Sequence, residues 1–599
     1  MWASVILILF SFSAMAQDYV PGEIIIKLKS DNGSSESYAF MGKAMSDKEM
    51  ALKDSWGKMN MYHFALKKGQ SVEQAVVEMR ADPNVAYAEP NYYFKKSEET
   101  GLHETFSSQQ VQSANPSSQA GYAATGADIG VQSVWSSSSG MPAVKPVVAI
   151  IDTGLDTTHY VIEDTGALWT NPLEIAGNGV DDDGNGYVDD IHGWNFVDNS
   201  PTMYDDDGHG THVTGIVLSI DQNIYTTPLR AARVRIMPLK FLNGNGVGTT
   251  SNAIRAIYYA ANNGARVMNN SWGGTSYSAA LHEAVAYTYT KGAIFVAAAG
   301  NSSGNNDSTP MYPASYDVPN VISIAATTDY DYKASFSNYG KTTVHIGSPG
   351  VYILSTVPND AFGTMSGTSM AAPFVTGTAA QMKVEAPDML GYQMKSILMS
   401  QDIPVSQLAN QVVTSGRLSS QNSVNYSKTA VIETSQPSYS LNIADRDLAS
   451  NIAGGGCGTV RALSDTQPPF GSAGAVVLLL LAPVLVLIVM RVRAPVNRRK
   501  HERFKINSDV RIMVGEREMV GSISSISLGG VQVNTEALLQ DGGLVTMSIS
   551  SPDGGHKVEV AGRIVWSEAN KSYGVAYEKA PQSALSQIAD WTRSLQKAS

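Results

Sequence analysis

The sequence predicts a multi-domain chain: a small α+β unit, a larger α/β unit on a parallel sheet, one transmembrane helix and a small β-barrel tail. Three observations carry that prediction. At roughly 100–200 residues per domain, a length of 599 residues requires three or more units. Residues 128–421 alternate short β-rich runs with helix-like segments, the pattern of a parallel sheet with crossover helices. Two uncharged apolar runs, at 3–12 and 471–490, divide the rest of the chain.

Composition removes several functions before any motif is read. Lys and Arg number 42 against 54 Asp and Glu, a net charge of -12, so no global basic surface exists to neutralise phosphates and a nucleic-acid partner is excluded. The single cysteine, Cys457, allows neither an intramolecular disulfide nor a cysteine zinc site. Stability then rests on buried apolar surface or on bound ions.

The elements follow in order. Residues 1–16 carry an apolar run ending in Ala14-Met15-Ala16, the pattern of a signal peptide, although no Lys or Arg stands in residues 1–4. Residues 17–97 read as α+β, with a strand at 22–28, an amphipathic helix at 71–80 and a last strand at 85–94. A Ser/Gln-rich linker occupies 98–127. The α/β unit, 128–424, has strands expected at 146–151, 234–239, 266–270, 293–298 and 321–326 and helices at 252–262 and 278–290. A polar stalk, 425–470, leads into 471–490, whose 20 uncharged residues match a hydrocarbon core about 30 Å thick. Arg491, Arg493, Arg498, Arg499, Lys500 and Arg503 follow directly, so the positive-inside rule puts 498–599 in the cytoplasm and the α/β unit outside it. Six short β runs between 508 and 577, then an amphipathic helix at 581–597, predict a small barrel with a C-terminal helix.

Four motifs in the α/β unit carry chemistry. A strand runs into Asp152-Thr153-Gly154, and a carboxylate at the carboxyl end of a buried strand requires a partner. Asp-Thr-Gly recurs at Asp164, but a separation of 12 residues leaves no second lobe for an aspartic-protease dyad. Asp207-Gly208-His209-Gly210-Thr211-His212 opens a helix of small residues; with no cysteine ligand and no H-E-x-x-H run, it does not read as catalytic zinc. The glycines fit an imidazole that a substrate backbone must approach closely. Another strand ends at Asn301, whose amide is an oxyanion donor or a plain turn former. Ser369 precedes an apolar run and is expected in the first turn of a helix, where free amides favour negative charge, or as a simple N-cap.

Asp152, His209, Asn301 and Ser369, in that order, resemble the subtilisin-like serine proteases, the subtilase family, across roughly 128–424. The resemblance implies hydrolysis of peptide bonds in a protein or peptide substrate. Ser369 would be the nucleophile, His209 its general base and then acid, and Asp152 the group that orients His209; Asn301 and the Ser369 amide would form the oxyanion hole. The run Asn270-Ser271-Trp272-Gly273 resembles the family's substrate-binding strand, so Ser271, Trp272 and Gly273 are expected to pair with a peptide backbone. Residues 17–97 resemble the subtilase inhibitor propeptide, which implies a zymogen. A receptor using the same fold as a silent binding ectodomain is the rival, and the intact Asp-His-Ser set argues against it.

Two further sites are expected. In the acidic insertion, Asp181, Asp183, Asn185 and Asp189 put oxygen side chains around a tight turn, as a structural calcium loop does; His192 stands at the twelfth position, where such loops carry Glu, and a solvated acidic turn is the alternative. In the tail, the run from Arg498 to Phe504 and the turn from Ser525 to Gly530 resemble a PilZ domain, the bacterial receptor for cyclic di-GMP. That resemblance implies nucleotide contacts from Arg499, Arg503, Ser527 and Gly530, and a cytosolic signalling partner. It departs from the family pattern at Ser525, where an Asp or Asn is usual. Together these expectations describe a single-pass bacterial membrane protein.

Overall fold

The structure, a computed structural model, describes residues 18–441 and 504–591, except 30–34, 57–58, 98–99, 114–126, 138–139 and scattered positions after 514. The signal peptide at 1–16, the span at 471–490, and Arg499 and Arg503 lie outside the described residues. Among the described residues no helix is long and apolar enough to cross a membrane. The chain divides into two compact units, one ending at Gly458 and the other starting at Thr459.

The N-terminal part of the first unit is an antiparallel sheet with two helices: β1 (Tyr19–Leu28), α1 (Ser35–Ser46), β2 (Ala51–Trp56), β3 (Met61–Ala65), α2 (Val72–Arg80) and β4 (Val85–Lys96). Successive residues of a strand face opposite sides, so the run Ile24-Ile25-Ile26 serves two interfaces. Ile24 and Ile26 pack with Val76 and Met79 of α2, while Ile25, Met61 and Tyr87 pack against the α/β part. That second face explains why a short domain carries apolar residues on both sides of its sheet.

The α/β part begins with β5 (Thr100–Ser107), α3 (Ser108–Ser113) and α4 (Val131–Ser137). It continues through β6 (Val147–Asp152), α5 (Tyr160–Thr165), β7 (Trp194–Asn195), α6 (His209–Asp221), β8 (Arg235–Lys240), β9 (Val247–Thr249) and α7 (Thr250–Asn262). Next come β10 (Val267–Asn270), β11 (Trp272–Gly273), α8 (Ala279–Thr290), β12 (Ile294–Ala298) and β13 (Val321–Thr327). It ends with β14 (Ile346–Pro349), β15 (Ile353–Val357), β16 (Ala361–Ser366), α9 (Thr368–Glu385), α10 (Gly391–Ser400), β17 (Ile403–Pro404), β18 (Gly416–Arg417) and α11 (Ser420–Ser427). The main sheet has the order β17-β18-β14-β13-β12-β10-β6-β8-β7, parallel apart from the edge strand β17. Helices cover both faces, so β10 and β12 are buried along their whole length; β12 reads as an unbroken apolar run, whereas β10 ends in the buried polar pair Asn269-Asn270. The strand order reverses at β6, which has β8 on one side and β10 on the other, and its carboxyl end carries Asp152.

β4 docks the N-terminal sheet onto two helix starts. Asn91 Oδ1 accepts from the amide of Ser251 in α7 at 3.0 Å, and Glu89 accepts from the Ser278 hydroxyl at 2.5 Å and the Ala279 amide at 2.8 Å at the start of α8. At the other end, the segment expected as a free stalk is seated on this unit as far as Leu441. The Tyr289 hydroxyl donates to the Pro437 carbonyl, and Tyr439 and Leu441 pack against the α8 side of the core. A few aromatic and aliphatic anchors outweigh the polar composition that suggested a stalk.

The second unit is a closed barrel of β19 (Phe504–Val514), β20 (Arg517–Ser527), β21 (Gly530–Asn534), β22 (Leu544–Ser550), β23 (Lys557–Glu568) and β24 (Ser572–Lys579), in the order β19-β20-β21-β24-β23-β22. Ile512, Val533, Met547, Val560 and Val575 fill its interior. Ala584, Ile588 and Trp591, helical where described, join that core at four- and three-residue spacing, one face of a helix.

Candidate active site

Asp152 and His209 meet where β6 ends and α6 begins. Both are fully buried, and Asp152 Oδ1 lies 2.7 Å from His209 Nδ1 and accepts from the Thr153 amide at 2.8 Å. A carboxylate has no proton to give, so Nδ1 carries the hydrogen and Nε2 is the basic nitrogen. Two glycines permit this approach. A Cβ on Gly210 would lie 2.2 Å from the Gly154 carbonyl oxygen, and one on Gly154 would lie 1.9 Å from that of Tyr204. Gly210 therefore lets the helix start press onto the Asp152 loop, a close approach of protein to protein beside the imidazole.

One turn on, His212 is also buried, with Nε2 at 3.0 Å from the carbonyl oxygens of both Ile353 and Gly363. Burial, with the charge of His209 beside it, lowers His212 to about 3, so its ring stays neutral. It ties α6 to the β15–β16 hairpin that feeds α9.

Ser369 is the second residue of α9, after Gly367 at the N-cap. Pro373 lies inside the same helix and brings no N–H to the Ser369 carbonyl, which instead accepts from the Ser271 hydroxyl at 3.0 Å. The Ser369 hydroxyl donates to the Ser271 carbonyl at 2.9 Å. Asn301 is oriented by its own Oδ1, which accepts from the Thr368 amide at 3.0 Å and the Thr368 hydroxyl at 2.8 Å. Its Nδ2 therefore faces the other way and donates to the Ser97 carbonyl oxygen at 2.5 Å. The Ser369 amide donates to the same oxygen at 3.2 Å.

Ser97 arrives there as the end of an inserted strand. β4 runs antiparallel between β9 and β11, with Phe94 opposite Gly248, Lys95 opposite Val247 and Gly273, and Lys96 opposite Trp272. The Lys96 amide donates to Gly246 and the Ser97 amide to Ser271, each at 2.9 Å. Phe94 is fully buried against Trp272, their rings edge to face at 5.5 Å. The Lys96 ammonium contacts both oxygens of Asp207, at 2.7 and 2.9 Å. Beyond, β5 pairs antiparallel with β16, Thr100 opposite Ser366 and Glu104 opposite Thr364. Ser271, Trp272 and Gly273 thus pair with a peptide backbone, and that backbone belongs to the chain itself. Lys96, Asp207 and the β9 edge were not singled out in the sequence; Asp207 stood in the His209 motif with no partner in view.

In the acidic insertion the structure gathers a different set. Ligand oxygens of Glu174, Asp183 and Asp190 all lie within 4.8 Å of one another. Asn185 joins them, its Nδ2 at 3.0 Å from Asp183 and 2.9 Å from Asp190. Asp181 accepts from the amides of Asn185 and Gly186, and Asp189 from those of Asn178 and Gly179, so these two carboxylates hold turns. Burial and the neighbouring Asp183 raise Asp190, and burial with Asp190 nearby raises Glu174. Glu174 Oε2 has no hydrogen-bond partner among the described residues. A hard-oxygen set of mutually repelling carboxylates with an unpartnered oxygen fits a calcium-sized cation. Glu174 and Asp190 are brought in by the fold.

In the barrel, Ser527 and Gly530 face each other across the β20–β21 turn, the Ser527 hydroxyl donating to the Gly530 carbonyl at 3.0 Å. Ser525 turns its hydroxyl to Gln532 at 3.2 Å.

Comparison with known proteins agrees with this geometry. Residues 144–426 match the subtilase family, residues 11–91 the fervidolysin N-terminal prodomain, and residues 497–594 the PilZ domain. The chain is 35% identical over 362 residues to the thermophilic serine proteinase of Bacillus sp. (strain AK1), spanning 60% of this chain and 78% of that one. It is 38% identical over 232 residues to thermitase of Thermoactinomyces vulgaris, spanning 39% and 72% respectively, and 35% identical over 254 residues to subtilisin DY of Bacillus licheniformis, spanning 42% and 82%. The chain therefore belongs to the subtilase family: it is a subtilisin-like serine protease with an N-terminal prodomain and a C-terminal PilZ domain.

Proposed function

We propose that the protein is a membrane-anchored endopeptidase made as a zymogen, whose first substrate is its own Ser97–Glu98 bond. One observation carries this reading: the Ser97 carbonyl oxygen sits between the Asn301 amide and the Ser369 N–H, at 2.5 and 3.2 Å. In the reaction, Ser369 Oγ adds to the Ser97 carbonyl carbon while His209 Nε2 takes its proton, which requires the hydroxyl to leave the Ser271 carbonyl. Asp152 keeps the ring in the right tautomer and stabilises the imidazolium. The developing oxyanion remains on the two donors already facing it. His209 then protonates the Glu98 nitrogen, the amine leaves, and water repeats the sequence on the acyl-enzyme. Two strands support this reading: β4, paired as far as Lys96, and β5, paired from Thr100. N-terminal sequencing of the purified protein should start at Glu98, and the Ser369→Ala chain should stay joined there; a Ser369→Ala chain cut at that bond would overturn the assignment.

The protease part lies outside the cytoplasm and the PilZ part inside, a reading supported by the apolar run 471–490 and the basic residues after it. Protease accessibility of the two halves in intact and opened cells tests it. A structural calcium held by Glu174, Asp183 and Asp190 is supported by their convergence. Cyclic di-GMP as ligand of the tail is supported by the family match, which includes Arg499 and Arg503, and by the Ser527–Gly530 turn. Calorimetric titration of the full chain should show binding that Arg499→Ala/Arg503→Ala abolishes; no heat with the wild type would refute it.

A further inference from the structure

The three carboxylates before His209 have separate partners. Asp205 accepts from the Thr153 hydroxyl, the Gly208 amide and Thr211, and so braces the catalytic loop. Asp206 pairs with the buried Lys240 ammonium at 2.6 Å. Asp207, whose side chain is only 8% exposed, faces Lys96. Lys96 immediately precedes Ser97, so its side chain occupies the P2 position of the segment laid in the active site. Its stem crosses Gly246, where an added Cβ would come within 2.7 Å of both Lys96 Cγ and Cδ. The pocket thus combines an open floor for a long aliphatic stem with a carboxylate placed to meet its charged end.

We propose that Asp207 is a specificity-determining residue that selects lysine or arginine at P2 in substrates cleaved in trans; the proposal rests on the protease reading above. A pair so largely withdrawn from water is screened less than a surface ion pair, so it discriminates between side chains and does not merely tolerate a charge. Neutral P2 residues lose that pairing, and acidic ones meet a like charge beside His209. The aromatic pocket filled by Phe94 adds a second anchor, so the substrate class is an extended segment with an aromatic residue two positions before the basic one.

The test uses the matured full chain and three fluorogenic peptides spanning residues 92–101, with Lys, Ala or Glu at the position of Lys96. The P2-Lys peptide should be cleaved with kcat/KM about tenfold or more above P2-Ala, with P2-Glu slowest, and the gap should narrow in high salt. In Asp207→Asn the Lys/Ala ratio should collapse towards one, and in Gly246→Val it should fall because the stem no longer fits. Equal cleavage of all three peptides by the wild type would overturn the P2 subsite alone. Cleavage of none above the Ser369→Ala background would overturn the protease reading with it. Should Asp207→Asn fail to mature, the wild-type ratio and its salt dependence decide the matter.

Discussion

The Asn301 side-chain amide and the Ser369 backbone amide converge on a single atom, the carbonyl oxygen of Ser97, from 2.5 and 3.2 Å. Two donors on different elements, one after β12 and one in α9, are thereby aligned before any reaction. A preorganised pair costs no reorganisation when charge develops.

Asn301→Ala should lower kcat about 100–1,000-fold with little change in KM, the usual loss on removing one oxyanion donor. Steady-state kinetics on a small peptide substrate measures it. An equal loss through KM would mean that Asn301 binds the ground state instead.

Release of the cleaved prodomain should depend on pH through Glu89. Burial pushes its carboxyl from 4.5 up to about 7, against the lowering effect of Ser278 and the α8 amides. Once the prodomain leaves, the carboxyl returns to water and its ordinary value, so the docked state binds the proton more tightly. The contribution to docking is fully present below about 4.5 and is lost as pH rises through about 7. Inhibition of the mature protease by its cleaved prodomain should weaken between pH 5 and pH 8 by roughly this linkage, and Glu89→Gln should flatten the profile.

Chelation should destabilise the protein if Glu174, Asp183 and Asp190 hold calcium. A ligand at about 100 times its Kd adds about 2.7 kcal/mol, so a Tm fall of about 5 °C on adding chelator is expected. In Asp183→Asn the same chelator should have no effect. Scanning calorimetry on a Ser369→Ala background avoids self-digestion.

His212→Ala should cost about 2–4 kcal/mol, because it leaves the Ile353 and Gly363 carbonyls without their shared donor and opens a cavity. The denaturation midpoint of His212→Ala on the Ser369→Ala background measures that cost. A change within experimental error would show that the hairpin does not need this tie.

Much of the frame was legible because parallel strands buried on both faces leave continuous apolar runs, as at Ile294–Ala298. The helices expected at 71–80 and 278–290 match α2 and α8 to within one residue, their first residues, Ser71 and Ser278, standing as the N-caps. Less visible was β9, three residues long, while β11, two residues long, was expected only through the family resemblance; both exist as strands because the β4 backbone lies between them. A strand defined by a distant partner has no local period to read.

The acidic insertion shows the same limit. Spacing singled out Asp181 and Asp189 along with Asp183, yet the first two spend their oxygens on turn amides. Local spacing records which carboxylates are near in the chain, and only folding brings Glu174, whose Oε2 has no hydrogen-bond partner among the described residues, and Asp190 beside Asp183.

By itself the sequence pointed to Asp152, His209, Asn301 and Ser369, because together and in that order they resemble the subtilase motifs, and to the order prodomain, peptidase, PilZ domain that the family matches share. The tertiary structure decided what lies between them. It set Ser97 against the two donors, Lys96 against Asp207, and Glu174 and Asp190 beside Asp183. These contacts join residues far apart in the chain or divided by irregular turns, and they arise from three-dimensional packing, which leaves no periodic trace in sequence.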